Sequence, residues 1–207
     1  MSNTAKRILT SFAMAAIAAA AAYFGLVRWL AVAIAIGMGM EVIKCAIKSK
    51  KKKLILHTLY FIPYYLLFIA SAYFIGAKQW IILLLIMIIS AADIGAWFFG
   101  TKIGGDKLWE RVSKGKTWSG QIAGILCGTT AAVMYGLLGT DVFLASLMWL
   151  GLGVSLLSQY GDLAASAVKR KLGVKDFGNI LPGHGGLMDR FDGWLFVLPI
   201  IWLATMG

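Results

Sequence analysis

Four carboxylates and a histidine gather in one polar stretch of a chain that has little else of the kind. Asp162, Asp176, Asp189, Asp192 and His184 lie between Gly161 and Asp192, in a sequence with only nine acids and two histidines in 207 residues. Lys169, Arg170, Lys175 and Arg190 are interleaved with them. Hard oxygen donors of this type suit Mg²⁺, which takes one or two carboxylates and completes its shell with phosphate oxygens and water. The neighbouring cations could neutralise charge that develops on phosphate during transfer, a reaction that depends on positioning and electrostatics. A merely solvated loop with balanced charges would not need paired acids and a run of turn-forming glycines.

The elements that must position these groups can be read from spacing. GDLAASAVKRKLG is a predicted helix ending near Gly173, which places Asp162, Ser166 and Lys169 or Arg170 on one face at i, i+4 and i+7 or i+8. A second helix starting near Met188 would aim Asp189 and Asp192 the same way, since they are three residues apart. Between them, Pro182-Gly183-His184-Gly185-Gly186 must turn, its glycines allowing positive φ or close backbone approach.

The rest of the chain is of a different character. It is 60% hydrophobic and 14% charged, with a mean hydropathy of +0.81. Its apolar segments have no polar face, which excludes a soluble helical bundle and means lipid. The expected architecture is all-α: one polytopic integral membrane domain, residues 1–207, with about seven transmembrane helices. Residues 1–53 form an N-terminal helical pair and a basic loop, and 54–207 a helical core with polar loops at 101–119 and 161–192. The spans are expected at 8–27, 29–43 after a tight turn marked by Arg28, 54–76 with a kink at Pro63, 80–100, 120–138, 142–159 and 193–206. The last is short, and is expected to begin inside the Phe191 region or to tilt little. Lys6 and Arg7 before an Ala-rich run resemble a signal peptide, but a second apolar segment follows at once, so the first helix is expected to be retained.

Three ionisable residues fall inside or beside spans. Asp93 lies about 10 Å from the Gly100 end of its helix, too deep for so short a side chain to snorkel, and is expected to face a functional cavity. Glu41 is either such a residue or an interfacial partner of Lys44, and His57 is expected to be an interfacial polar residue. Gly120, Gly124 and Gly128 at four-residue spacing mark a helix-packing face. Cys45 and Cys127 are too few for a disulfide framework or a zinc site, and are read as packing residues.

With the N-terminus in the cytoplasm, 18 of the 20 lysines and arginines fall on the inner side, leaving Arg28 and Lys78 outside. The net charge of +11 is therefore a topology signal and not a sign of nucleic acid. The lysines of 44–53 add contact with anionic lipid headgroups.

Three segments together carry a family resemblance. The pattern Ser166-x-x-Lys169-Arg170-x4-Lys175-Asp176-x-Gly178-x3-Pro182-x-His184-Gly185-Gly186-x-x-Asp189-Arg190-x-Asp192 closely resembles the signature of the phosphatidate cytidylyltransferases, the CDP-diacylglycerol synthases. Asp93-Ile-Gly95-Ala-Trp-Phe-Phe-Gly100 is similar to the family's D-T-G-A-Y-F-x-G segment, and Ser113-Lys-Gly-Lys116-Thr117-Trp118-Ser-Gly120 to its S-P-x-K-T-W-E-G segment. Ile94, Lys114 and Ser119 depart from it, standing where Thr, Pro and an acid are usual. The resemblance runs from about Glu41 onward, and the spans this chain lacks beside typical members fall at the N-terminal end.

The resemblance implies a nucleotidyltransferase of phospholipid biosynthesis, CTP and phosphatidate giving CDP-diacylglycerol and pyrophosphate with Mg²⁺. It places the protein in the inner (plasma) membrane with its active site toward the cytoplasm, among membrane lipids and with room for a homodimer. By position it makes Asp162, Lys169, Arg170, Asp189 and Asp192 catalytic, with Asp162 and Asp189 as metal ligands. Asp93, Lys116, Thr117, Trp118, Ser166, Lys175, Asp176, His184 and Arg190 would bind substrate. His184 is a donor or turn residue, because a phosphomonoester nucleophile is already anionic and hardly needs a base.

Three rivals are weighed. A CTP-dependent transferase acting on an isoprenoid lipid would share the signature, because an apolar groove reads little of a lipid tail. A cation channel or transporter would use Asp93 and Glu41, but predicts acids spread along several helices. The CDP-alcohol phosphotransferases would need a D-G-x2-A-R…G-x3-D-x3-D arrangement that is absent.

Overall fold

A computed structural model describes residues 3–48, 61–138 and 143–206. His57, the run Lys50–Lys53 and the start of the third expected span lie outside the described residues. The elements are α1 (Asn3–Tyr23), α2 (Val27–Lys48), α3 (Ile62–Gly76), α4 (Gln79–Ile103), β1 (Lys107–Trp109), β2 (Ser113–Thr117), α5 (Trp118–Leu137), α6 (Leu144–Leu172), α7 (Met188–Phe191) and α8 (Trp194–Ala204). The chain divides into two compact units, Met1–Gln79 with Val168–Gly207, and Trp80–Ala167.

In the first unit, α2 packs on α1, α3 and α7, and α3 packs on α8. The reversal between α1 and α2 is made by Gly25 at φ +69°, a value that favours glycine. Arg28, expected at this turn, instead lies in the first turn of α2, its guanidinium 5.5 Å from the centre of the Tyr73 ring. Pro63 occupies the first turn of α3, where its missing N–H costs no helical bond. Tyr65 donates its hydroxyl to the Ala35 carbonyl, and its ring fills the space above Gly39, locking α3 against α2.

In the second unit, the glycine stripe does what its spacing predicts. A Cβ on Gly120 would sit 2.7 Å from the Ala96 carbonyl oxygen, one on Gly124 2.8 Å from that of Ala92, and one on Gly128 2.1 Å from the Ser155 hydroxyl. Backbone-to-backbone approach of this kind joins α5 to α4 and α6. Gly95 of α4 rests on Cys127, which is thereby the packing residue expected of it.

Val27–Lys48, Gln79–Ile103 and Trp118–Leu137 are long and apolar enough to cross a membrane. The apolar runs Ile8–Tyr23, Ile62–Gly76 and Trp194–Ala204 are shorter. Outward apolar residues such as Leu83 and Leu126 are 62% exposed, as lipid-facing side chains must be. The sixth expected span and the polar helix after it prove to be one helix of 29 residues, α6. Its end at Gly173 follows from chemistry: φ is +76°, Val174 N–H reaches the Lys169 carbonyl, and Gly173 N–H that of Arg170, the paired bonds of a Schellman cap. The short last span does begin in the Phe191 region, since helical backbone angles recur at Leu187, Asp192 and Gly193 ahead of α8.

Among the described residues one departure from an all-helical fold appears, in the polar loop 101–119. There β1 and β2 pair antiparallel, Lys107 with Thr117 and Trp109 with Ser113.

The packing face gives a direct test. Gly128→Leu forces a side chain into Ser155 and the α4 backbone, and should cost about 1–3 kcal/mol of stability. Gly153→Leu, where a Cβ meets nothing within 4 Å, should leave the detergent-solubilised protein's melting temperature unchanged.

Candidate active site

Asp189 is the most constrained carboxylate of the first unit. Its side chain is 5% exposed and its Oδ1 lies 3.0 Å from Lys169 Nζ, whose own side chain is 11% exposed. Oδ2 accepts two backbone N–H groups, from Phe177 at 2.8 Å and Gly186 at 3.0 Å. These amides flank the turn-rich segment, so one carboxylate closes the loop from 177 to 186. Lys169 Nζ also stands 5.6 Å from the centre of the Phe177 ring. Inside the loop, Leu181 and Gly185 exchange backbone hydrogen bonds, and His184 N–H donates to the Leu181 carbonyl at 2.9 Å. Pro182 followed by Gly183 at φ +79° makes this a type II turn, and Gly185 at φ +90° continues it.

The other expected residues of this unit sit around the loop. Lys175, Asp176, Arg170 and Arg190 are exposed at its rim. Arg190 Nε donates to the His184 carbonyl at 3.0 Å, and Arg170 to that of Val174. His184 acts as a turn residue: its Nε2 lies 3.5 Å from the Ser11 hydroxyl, while Thr10 donates to the Pro182 carbonyl at 2.9 Å. Asp192 is buried and caps the next residue, accepting Gly193 N–H at 2.9 Å.

The second unit brings together a different set. Lys116, delivered by β2, forms an ion pair of 2.6 Å with Asp162 of α6, their side chains 25% and 41% exposed. Asp162 also accepts from Ser166 at 3.4 Å, one helical turn on, as the i, i+4 spacing predicts. The Gln159 carbonyl lies 3.5 Å from Lys116 Nζ, and Asp93, expected to face a cavity, is exposed on α4. Thr117 is buried, and its hydroxyl caps α5 by accepting Gly120 N–H at 3.2 Å. Ser119, which stands where the family has an acid, donates to the Gly104 carbonyl and contacts the Thr117 hydroxyl at 3.0 Å, so it ties the hairpin to its helix. Trp118 is exposed and lines a groove of about 450 Å³ with Trp109, Tyr160, Leu156 and Leu163.

For a metal, the two proposed ligands differ. Asp162 keeps an accessible carboxylate, which suits a hard cation completed by phosphate oxygens and water. Asp189 already has three donors and little exposure, so an ion there would share its oxygens with Lys169 and two amides. Among the described residues no group of three or more His, Cys, Asp or Glu forms a protein-only cage.

Glu41, expected to be either a cavity-facing acid or an interfacial partner of Lys44, is 4% exposed, with Oε2 accepting Met188 N–H at 2.9 Å. An acid in an apolar run was the available signal; its partner, 147 residues away, was not. Spacing missed Gln159, a buried amide 3.4 Å from the Gln121 carbonyl.

Comparison with known proteins agrees with the geometry. A stretch 44% identical over 126 residues is shared with the phosphatidate cytidylyltransferase of Staphylococcus aureus, covering 58% of this chain and 46% of that protein. The proteins of the same name from Staphylococcus epidermidis and Staphylococcus saprophyticus are 42% and 40% identical over 121 residues, with the same coverage. The chain thus spans about half the length of the curated relatives it matches. The sequence model of the cytidylyltransferase family matches residues 8–206, nearly the whole chain. With that match over nearly its whole length, this chain belongs to the cytidylyltransferase family.

Proposed function

We propose that this chain is a phosphatidate cytidylyltransferase of phospholipid biosynthesis, converting CTP and phosphatidate into CDP-diacylglycerol and pyrophosphate. The observation that carries the reading is the Asp189-closed loop, which fixes the signature residues and holds Lys169 beside them. In the reaction a lipid phosphate oxygen attacks the α-phosphorus of CTP. The bond to the β-phosphate bridging oxygen breaks, and pyrophosphate leaves with the electron pair.

The roles follow from each group's chemistry. Lys169 and Lys116 are cations already oriented by carboxylates, able to neutralise phosphate oxygens without reorganising. Arg170, Lys175 and Arg190 are exposed cations that can collect the anionic substrates, with Asp93, Ser166 and Trp118 as further substrate contacts. Mg²⁺ is the proposed cofactor, with the accessible carboxylate of Asp162 as the protein ligand best placed for it; when bound it would neutralise phosphate charge. The groove is lined mainly by aliphatic and aromatic side chains, which read little of a tail beyond its being hydrocarbon, so an isoprenyl phosphate is the second substrate class to try.

The protein is proposed to cross the plasma membrane about seven times, N-terminus in the cytoplasm. The distribution of 18 of 20 basic residues supports this. So do the contacts of Thr10 and Ser11 with the loop at Pro182 and His184, which put the start of α1 on the loop's side of its unit.

Two experiments test these readings. Protein purified in detergent should make CDP-diacylglycerol from radiolabelled CTP, phosphatidate and Mg²⁺. Asp162→Asn and Lys116→Ala should each lower kcat about 100-fold or more, the scale for loss of one preorganised charge contact. Asp189→Ala is a poorer probe, because stranding Lys169 without its partner should cost about 3–5 kcal/mol of stability. Full activity in Asp162→Asn would remove that residue from the site, and product only from isoprenyl phosphate would reassign the substrate. For orientation, in a chain lacking both native cysteines, Lys78→Cys should react with an impermeant thiol reagent from outside intact cells and Asn179→Cys should not.

A further inference from the structure

Glu41 has no assigned role, yet it is the most deeply placed acid of its unit. Its carboxyl sits between two glycines of the loop: a Cβ on Gly178 would lie 2.4 Å from Oε1, and one on Gly186 2.4 Å from Oε2. Oε2 holds the Met188 amide, while Oε1 is buried without a hydrogen-bond partner among the described residues. Leaving a carboxyl oxygen unsatisfied in the interior is costly, so the residue is not there for stability alone. What it touches is informative. Gly186 offers its Cα to Glu41 and its N–H to Asp189 Oδ2, and Met188 directly precedes Asp189 in the chain. The backbone from 186 to 188 is therefore gripped by one carboxyl on each side.

We propose that Glu41 is a positioning residue: wedged between Gly178 and Gly186 and holding the Met188 amide, it sets the place of the Asp189 carboxylate and through it of the Lys169 ammonium. The inference rests on the cytidylyltransferase reading for its kinetic consequence, but not for its structural one. Glu41 touches no reacting atom and acts only through the loop. It explains why two glycines not required by positive φ, Gly178 and Gly186, occupy those positions: any side chain would displace the carboxyl.

The test uses the full chain in detergent. Glu41→Gln keeps the size and an acceptor for Met188, and should retain kcat within about threefold, whereas Glu41→Ala should lower kcat about 10- to 100-fold with the KM for CTP little changed, the cost of a small misplacement. Gly178→Ala should be impaired similarly, and Gly178→Ala combined with Glu41→Ala should be no worse than either alone, because the two act through one contact. Independent, multiplicative losses in the double variant would overturn the proposal, as would Glu41→Ala with native kcat. Hydrogen exchange gives a readout that does not need turnover: amides of Phe177, Gly186 and Met188 should exchange about tenfold or more faster in Glu41→Ala and stay protected in Glu41→Gln. Unchanged exchange in Glu41→Ala would overturn the proposal even in an active enzyme. Faster exchange in a chain that makes no CDP-diacylglycerol would uphold the positioning role and sink the assigned reaction instead.

Discussion

A single buried carboxylate holds the signature loop in shape. Asp189 accepts from the Phe177 and Gly186 amides and from Lys169, with little exposure of its own. Each of these bonds would be weak in water. Inside, where the alternative is a stranded charge or an unpaired amide, each is worth several times more. The loop has no regular secondary structure beyond one two-residue bridge, and its apolar content is modest. Its order therefore depends on polar closure more than on hydrophobic burial. This is the reverse of the spans around it, where side-chain packing and close backbone approach do the holding.

The two lysine–carboxylate pairs sit in different surroundings and so suit different tasks. Lys169 and Asp189 are nearly dry, a pair whose separation would strand charge in the interior. Lys116 and Asp162 are one-quarter and two-fifths exposed, a pair that water and substrate can reach and that exchanges partners at small cost. The buried pair maintains geometry, and the accessible pair stays open to solvent.

Glycine serves three separate purposes in the same chain. Gly25, Gly173, Gly183 and Gly185 turn the backbone through positive φ. Gly120, Gly124 and Gly128 remove side chains so that helices can meet in lipid, where the hydrophobic effect between helices is absent. Gly178 and Gly186 have ordinary backbone angles and make room for a carboxyl. The first two uses are visible as motifs, but the third exists only once Glu41 has arrived from elsewhere.

That division marks what could be read from the chain alone. Membrane character, the helix ending at Gly173, the turn at Pro182–Gly186 and the glycine packing face all follow from local sequence, because each depends on neighbours within a few residues or on composition. The family signature was legible for the same reason, being carried in three contiguous segments. The hairpin at 107–117 was not, since its short strands carry no alternating apolar pattern. Nor were the partners of the charges. Asp189 could have been a free ligand or a locked one, and Glu41 an interfacial or a buried acid. Spacing is silent on both, because the deciding groups, the Phe177 amide, the Lys169 ammonium and the Met188 amide, are brought there only by folding. The sequence by itself determined the family, the membrane character and the segments that carry the signature. Tertiary structure decided which carboxylates are spent on holding the loop and which remain open, because burial and pairing are properties of neighbours in space.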